Sequence, residues 1–497
     1  MGLRRNPPKG ADVRTPLARW HESTVDWRDH NVARVAIDML PDVALLNIFD
    51  FYLKEEYVDP IAQIDKPPIE VWCTLAHVCR KWRNIVFESP RRLDLRVCCR
   101  HSTPVREMLD IWPNLPIIVW FNGQEGADNT IAALEHNDRI CEIYLWDISD
   151  SHSEQVLAAI QQQFPALTQL ILGFDSFGRE TAPLHPDSFL GGSAQRLQSL
   201  ILFHIPFPGL PTLLLSSTHL VSLVLWTIPH SGYISPEAMV TGLSVLTSLK
   251  RLAIGFKSPR SHPAKKSRRS PPTRILLPVL NNLQFSGVSE YLEDLVSRID
   301  APLFKSLDID FFHRLIFDTP QLAQFISRTP EFKVLHEARV GFFDLSASIT
   351  LQSKSGFGYL VLNILSRQPD WQLLSLARLC SSSFPRALIP VERLSIEMSR
   401  VSPPPLPWQD ESSQWLELLH QFTGVKDLYV FSELTPRIAS ALQEPIGEKV
   451  TEVLPSLRAF FLQESPSGSV PESFGKFVAA RQLAGHPISV SRWDEGR

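Results

Sequence analysis

The sequence predicts an α/β protein: a small N-terminal helical domain, then an irregular solenoid in which short parallel strands alternate with helices. Three observations predict it. Residues 38–95 carry two helical apolar patterns around a polar insertion. From about residue 93 an apolar-x-x-apolar-x-apolar pattern recurs to residue 462. Between its copies, apolar residues fall three and four apart, the spacing of one helix face. A chain of 497 residues with 44% hydrophobic residues can fill such an elongated array.

The helical stretch opens at Leu40-Pro41. Pro41 suits a helix start, because its missing N–H is an orphan there and its φ is already helical. Asp42 follows in the first turn, where negative charge suits the helix dipole. Val43, Leu46, Phe49 and Leu53 make one predicted stripe, and Leu45, Ile48 and Tyr52 make another. A second helix is predicted through Val71, Leu75, Val78 and Trp82, with Trp72, Ala76 and Cys79 beside that stripe. A unit of about fifty residues buries roughly one such face by itself. The surplus apolar surface implies a partner chain.

These residues carry a resemblance. Leu40-Pro41, Ile48-Phe49, Leu53 and Val78-Cys79-Arg80-Lys81-Trp82 match, in order, the pattern of an F-box. The insertion at 54–68 lengthens the loop between the helices, as in F-box proteins of filamentous and mushroom-forming fungi, so the chain resembles a basidiomycete-like F-box protein. The resemblance implies docking on the Skp adaptor of a cullin–RING ubiquitin ligase. It assigns adaptor contact to Leu40, Pro41, Val43, Ile48, Phe49, Leu53, Val78, Cys79 and Trp82. Trp82 is the expected hot spot, since a buried Trp at an interface centre typically carries much of the binding energy.

The repeat copies end at Leu145, Leu172, Leu202, Leu225, Ile254, Phe285, Ile309, Val340, Ile396, Val430 and Leu462. With the long gap before Ile396 counted as two units, the spacing averages about 29 residues, at the long end for leucine-rich repeats. The last two apolar positions of each copy lie two apart, so both face one side of a short strand. Helices are expected at 152–163, 289–299, 320–328, 370–382 and 413–422. A strand, turn and helix cannot bury their apolar faces alone, but stacked copies share one core. The repeat is degenerate: where regular repeats place Asn or Cys, three after the last apolar position, stand Ile148, Asp175, Ile205 and Ile228. Residues 335–366 alternate apolar and polar residues around a Ser/Gly turn, which predicts an extended β excursion.

The expected domains are a polar extension at 1–36 (disordered or partly helical), an F-box at 37–92, leucine-rich-repeat-like horseshoe repeats at 93–470 and a capping segment at 471–497. Residues 257–273 are basic and rich in Ser and Pro, and should form a disordered loop. Within it Lys265, Lys266, Arg268 and Arg269 form a candidate nuclear-import signal.

The remaining features narrow the function. Net charge is −4, so no nucleic-acid footprint dominates. Cysteines 73, 79, 98, 99, 141 and 380 contain no Cys-x-x-Cys pair, which argues against a zinc site or disulfide framework and for a reducing compartment. The N-terminus lacks an apolar signal segment, and the apolar run 197–225 is broken by prolines, so no membrane span is expected. There is no Gly-rich phosphate loop, His-Glu-x-x-His or Gly-x-Ser-x-Gly. The expectation is a non-enzymatic protein without cofactor or metal, cytoplasmic or nuclear. It would serve as a substrate-recognition subunit that binds adaptor, cullin through the adaptor, and a target protein. The alternative is an F-box scaffold acting outside ubiquitin transfer.

Overall fold

The computed structural model describes residues 40–55, 75, 77–88, 95–111, 114–123, 126–174, 188–259, 274–312, 319–354, 356, 358–366, 369–399, 411–444, 450–463 and 472–493. Residues 1–36, most of the 54–68 insertion and the candidate import signal Lys265, Lys266, Arg268 and Arg269 lie outside them. The described residues fall in two compact units, one reaching residue 88 and the other starting at residue 95.

In the first unit a helix runs Asp42–Glu55. The Pro41 carbonyl accepts the Ala44 and Leu45 N–H groups at 2.9 and 3.1 Å, which closes the first turn. Among the described side chains of this helix the two predicted stripes do not separate buried from exposed. Leu45 and Phe49, one from each stripe and four residues apart, are the buried pair, together with Leu75 and Ile85. Val43 and Ile48 are exposed instead. The predicted second helix is also interrupted. Residue 79 is not helical, and a helix restarts at Arg80–Glu88. Cys79 caps that start: its Sγ accepts the Trp82 N–H at 3.4 Å, and its carbonyl accepts the Arg83 N–H at 3.0 Å. Lys81 ties the two helices together, donating to the Leu40 carbonyl at 2.9 Å and lying 3.7 Å from the Asp42 carboxylate.

The second unit is built on a sixteen-stranded sheet. Its strands are β1 (Leu95–Cys98), β2 (Ile117–Asn122), β3 (Ile140–Ile148), β4 (Gln169–Phe174), β5 (Ser199–Phe203), β6 (Ser222–Ile228) and β7 (Arg251–Phe256). A short β8 (Ile275–Leu276) pairs only with β10 (Ile299–Asp300), apart from the main sheet. The main sheet continues through β9 (Asn282–Gly287), β11 (Ser306–Phe312), β12 (Leu335–Phe343), β13 (Ser346–Ser353), β14 (Tyr359–Leu365), β15 (Arg393–Ser399), β16 (Asp427–Val430), β17 (Ala459–Gln463) and β18 (Ser489–Trp493). Neighbours are parallel except around β13. This mixed α/β arrangement, with strand–helix units laid side by side, is that of a leucine-rich-repeat-like solenoid.

The strand register follows the sequence repeat. Leu145, Leu172, Leu202, Leu225, Ile254, Phe285 and Ile309 are consecutive partners across β3 to β11. Val340, Ile396, Val430 and Leu462 continue the row across β12, β15, β16 and β17. All eleven are at most 5% exposed, and the first position of every copy, from Ile140 to Leu457, is buried as well. The pattern therefore marks the inward face of the sheet, where the strands meet the helices in one continuous core.

The missing Asn or Cys has a physical replacement. Asp147, His204 and Thr227, each two after the last apolar position, adopt left-handed backbone with φ of 56°, 58° and 54°. That single residue turns the chain so that Ile148, Ile205 and Ile228 re-enter the core, at most 5% exposed. Apolar packing thus does what a polar ladder would do. Left-handed backbone costs a non-glycine residue roughly 1–2 kcal/mol. Thr227 recovers part of it, its Oγ accepting the His204 N–H of the neighbouring repeat at 3.2 Å.

The excursion at 335–366 is a threefold meander inserted into the sheet. From β11 the chain passes beyond the next two strand positions to form β12, returns as antiparallel β13, and comes back as β14, which fills the place beside β11. The helix Pro369–Ser383 then leads on to β15, on the far side of β12. Gln372, fully buried, fastens this helix by donating to the Phe343 and Ser366 carbonyls at 3.0 and 2.8 Å. Elsewhere Glu293, 4% exposed, accepts the Gln321 and Leu322 N–H groups at 3.0 and 2.7 Å. It caps the helix Pro320–Arg328 from a neighbouring helix, and Thr319, the residue at the cap position, makes no side-chain cap of its own. The closing segment adds a helix, Glu472–Leu483, and the edge strand β18.

Candidate functional site

Two surfaces carry candidate function, one on each unit. On the helical unit the residues assigned to adaptor contact divide into a core and a rim. Phe49 is buried at 2% exposure, its ring 4.7 Å from that of Trp82 at an interplanar angle of 58°. Trp82 itself is half-buried, with its indole N–H unpartnered. Leu40 and Cys79 are also half-buried, and Pro41 is exposed. Val43 is 70% exposed, Ile48 43% and Val78 55%. The side chain of Leu53 lies outside the described residues. The sequence reading missed Phe51, which is 66% exposed. It stands three residues from Ile48, so the two are neighbours on the helix surface, with Val43 two turns before Phe51. Counting apolar stripes could not find it, because neither stripe contains position 51.

The second surface is the sheet face opposite the main core. Its central row, one residue per strand from β3, is Tyr144, Ile171, Ile201, Val224, Ala253, Gln284 and Asp308. Ile171, Ile201, Val224 and Ala253 form a cluster separate from the main core, with Tyr144, Trp146, Phe203 and Trp226 packed on it. Two glycines make this possible. A Cβ on Gly173 would lie 2.7 Å from the Trp146 ring, and a Cβ on Gly255 would collide with the Trp226 ring. Gly173 lets Trp146 reach across β4 to Phe203, where the centroids are 4.3 Å apart and the rings edge to face. Gly255 lets the Trp226 ring lie across β7.

Beyond this aromatic patch the same face turns acidic. Asp308 and Asp310, two apart on β11, both point to it, and the Asn363 amide donates to Asp310 at 2.7 Å. Burial, then repulsion from Asp310, pushes the Asp308 carboxyl up to about 6. Burial raises Asp310 too, opposed by the Asn363 hydrogen bond. Next comes a mixed-charge band at the strand starts. Arg393 lies 3.5 Å from Glu337, and Glu392 takes Lys426 at 2.7 Å with Lys354 and His336 nearby. The face ends in a second aromatic group: Tyr429 stacks on Phe461 at 4.4 Å, and Trp493 meets Tyr429 and Phe431 edge to face.

Among the described residues no group of His, Cys, Asp and Glu is arranged to hold a metal ion. The described cysteines are unbridged, and burial pushes the Cys99 and Cys380 thiols up to about 12, so both stay protonated near neutral pH. No described helix is long and apolar enough to cross a membrane.

No protein-family model matches the chain. No curated protein matches it either. Among solved structures it is similar to the leucine-rich repeat-containing protein LegL7 from Legionella pneumophila, at 14% identity over 79% of this chain and 98% of that chain. The TM-score of 0.26 is too low for the two folds to be equated, so the repeat architecture rests on the strand register itself.

Proposed function

We propose that the chain is the substrate-recognition subunit of a Skp–cullin–F-box ubiquitin ligase, cytoplasmic or nuclear. The observation that carries this reading is the exposure of Val43, Ile48, Phe51 and Val78 on a small helical unit, in a stretch that resembles an F-box. The exposed part of these side chains adds nothing to the fold of the unit itself, and apolar surface left out in this way is what a partner chain would cover. Docking on the adaptor would bury them in an interface of ~1,600 Å². The chain performs no covalent step. It holds a target so that the target's lysines meet the ligase's E2, and the rate gain is one of proximity.

The test is co-purification of the full-length protein with the Skp adaptor, followed by mass spectrometry. Adaptor, cullin and a third protein that accumulates under proteasome inhibition are the expected result. Leu40→Ala with Pro41→Ala should abolish adaptor capture and leave the repeats folded. Adaptor without cullin would make the chain a scaffold outside ubiquitin transfer, and no adaptor would remove the F-box assignment.

A further inference from the structure

We propose that the open sheet face of β3 to β11 captures an extended target segment in which an apolar side chain is followed or preceded, a few residues away, by Lys or Arg. This deepens the target-binding half of the function proposed above and rests on it.

Three observations lead there. First, the face is built to present aromatic surface. The outward positions of a strand in a one-sided sheet are ordinarily polar. Here Ile171, Ile201, Val224 and Ala253 occupy them in four consecutive strands, and Tyr144, Trp146, Phe203 and Trp226 lie over the row. No helix residue joins this cluster, so it adds little to the core that holds the repeats together. Second, glycine stands at the two places where a side chain would push a Trp ring aside, Gly173 under Trp146 and Gly255 against Trp226. Third, the two carboxylates beside the patch have no ion-pair partner among the described residues, the nearby Arg251 guanidinium on β7 donating instead to the Gln284 amide oxygen at 3.0 Å. Asp308 and Asp310 sit two ladders from Ala253. A half-buried carboxylate gains most from a cation that arrives with its partner.

Geometry sets the spacing. Trp226 on β6 and Asp308 on β11 are three ladders apart, on the order of 14 Å at the usual strand separation. An extended segment crossing the strands covers that in about four residues. The occupant therefore carries Leu, Met or an aromatic residue with Lys or Arg about three to five positions away. An acidic segment would meet Asp308 and Asp310 with like charge.

The experiment is selection of a phage-displayed random 12-residue peptide library on the immobilised full-length protein, repeated on Asp308→Asn/Asp310→Asn and on Trp226→Ser. Wild type should enrich peptides with the apolar–basic spacing. The carboxamide variant should lose the basic preference at least tenfold and keep the apolar one, and Trp226→Ser should lose the apolar preference. Thermal unfolding of each variant separates loss of binding from loss of fold, and the near-isosteric Asp→Asn changes guard against collapse of the patch. Enrichment of acidic peptides, an unchanged consensus in either folded variant, or no enrichment at all overturns the proposal. A concentration-dependent dimer abolished by Trp226→Ser would also overturn it, by showing that a second copy covers the face. Selection needs no adaptor, and adaptor capture needs no peptide, so this inference and the F-box reading fail separately.

Discussion

Replacing Val43, Ile48 and Val78 together by Ser separates docking from folding. These three are 70%, 43% and 55% exposed, so about half or more of their combined apolar surface is left out of the fold of their own unit. Fully burying such a side chain is worth about 1.5–3 kcal/mol. Scaling by the exposed fraction leaves roughly 1 kcal/mol or somewhat more per residue to be gained on docking, about 3–4 kcal/mol in all. That is a loss of roughly 140- to 700-fold in adaptor affinity. The folding cost should be small beside that of Phe49→Ala, which empties the contact against Trp82 and should cost about 3–5 kcal/mol. The assay is titration calorimetry of purified Skp adaptor against wild type and the triple variant, with amide hydrogen exchange of residues 42–55 and 80–88 as the folding control. If wild type binds and the folded triple variant binds within threefold of it, the docking face lies elsewhere. If the triple variant loses exchange protection as completely as Phe49→Ala, the division into core and rim is wrong.

Four further outcomes follow from single contacts. Glu293→Ala leaves two helix-starting N–H groups without their carboxylate and should cost about 2–4 kcal/mol in urea unfolding, with exchange of the Gln321 and Leu322 amides accelerated first. Gly255→Ala drives a methyl group into the Trp226 ring; it should cost about 1–3 kcal/mol and change Trp fluorescence, whereas the same substitution at exposed Gly475, which has open space around it, should not. Asp308 is raised to about 6 in the fold from 3.8, so the folded chain holds its proton more tightly and stability falls as pH rises from about 4 through about 6. Asp308→Asn should therefore stabilise the chain near pH 7 by about 1 kcal/mol, after allowance for solvent screening, and the gain should vanish below about pH 4 in paired melting curves. Arg481→Leu removes donors to the Val450, Pro455 and Leu457 carbonyls from a side chain with no exposure, and should lower the melting temperature while sparing adaptor capture.

The inward face of the sheet was legible because a strand's side chains alternate and the core tolerates only apolar residues there. Leu145, Leu172, Leu202 and Leu225 could be placed in one row from spacing alone. The excursion at 335–366 was legible as strands, but its order was not: nothing local says that β14 pairs back onto β11, since that choice is made by packing across the sheet. The helical unit was misread where local and tertiary preferences compete. Apolar counting allowed two stripes in 42–55, and burial chose Leu45 with Phe49 across them. The spacing from Val71 to Trp82 looked continuous, yet a half-buried Cys79 ends one helix and caps the next. Phe51 was unreadable for the opposite reason, since exposure leaves no periodic signature.

The aromatic face shows how repeat degeneracy frees the outer side of each strand. Regular repeats fix both sides of each strand, and a polar ladder holds the turn after it. Here Ile148, Ile205 and Ile228 take over that turn by entering the core behind a left-handed residue, so the turn makes no demand on the open side. The outward positions are then free to differ from strand to strand: aromatic across β3 to β7, acidic on β11, mixed in charge near β12 and β15, aromatic again at β16 to β18. Such banding cannot arise from a constraint shared by every repeat, because the shared constraint acts on the inward row. Each strand's outer face is set by its own neighbours, and the glycines beneath Trp146 and Trp226 fit the rings that lie over them. Packing of the inward row is satisfied whether residue 255 is Gly or Ala; only the ring lying across it is not.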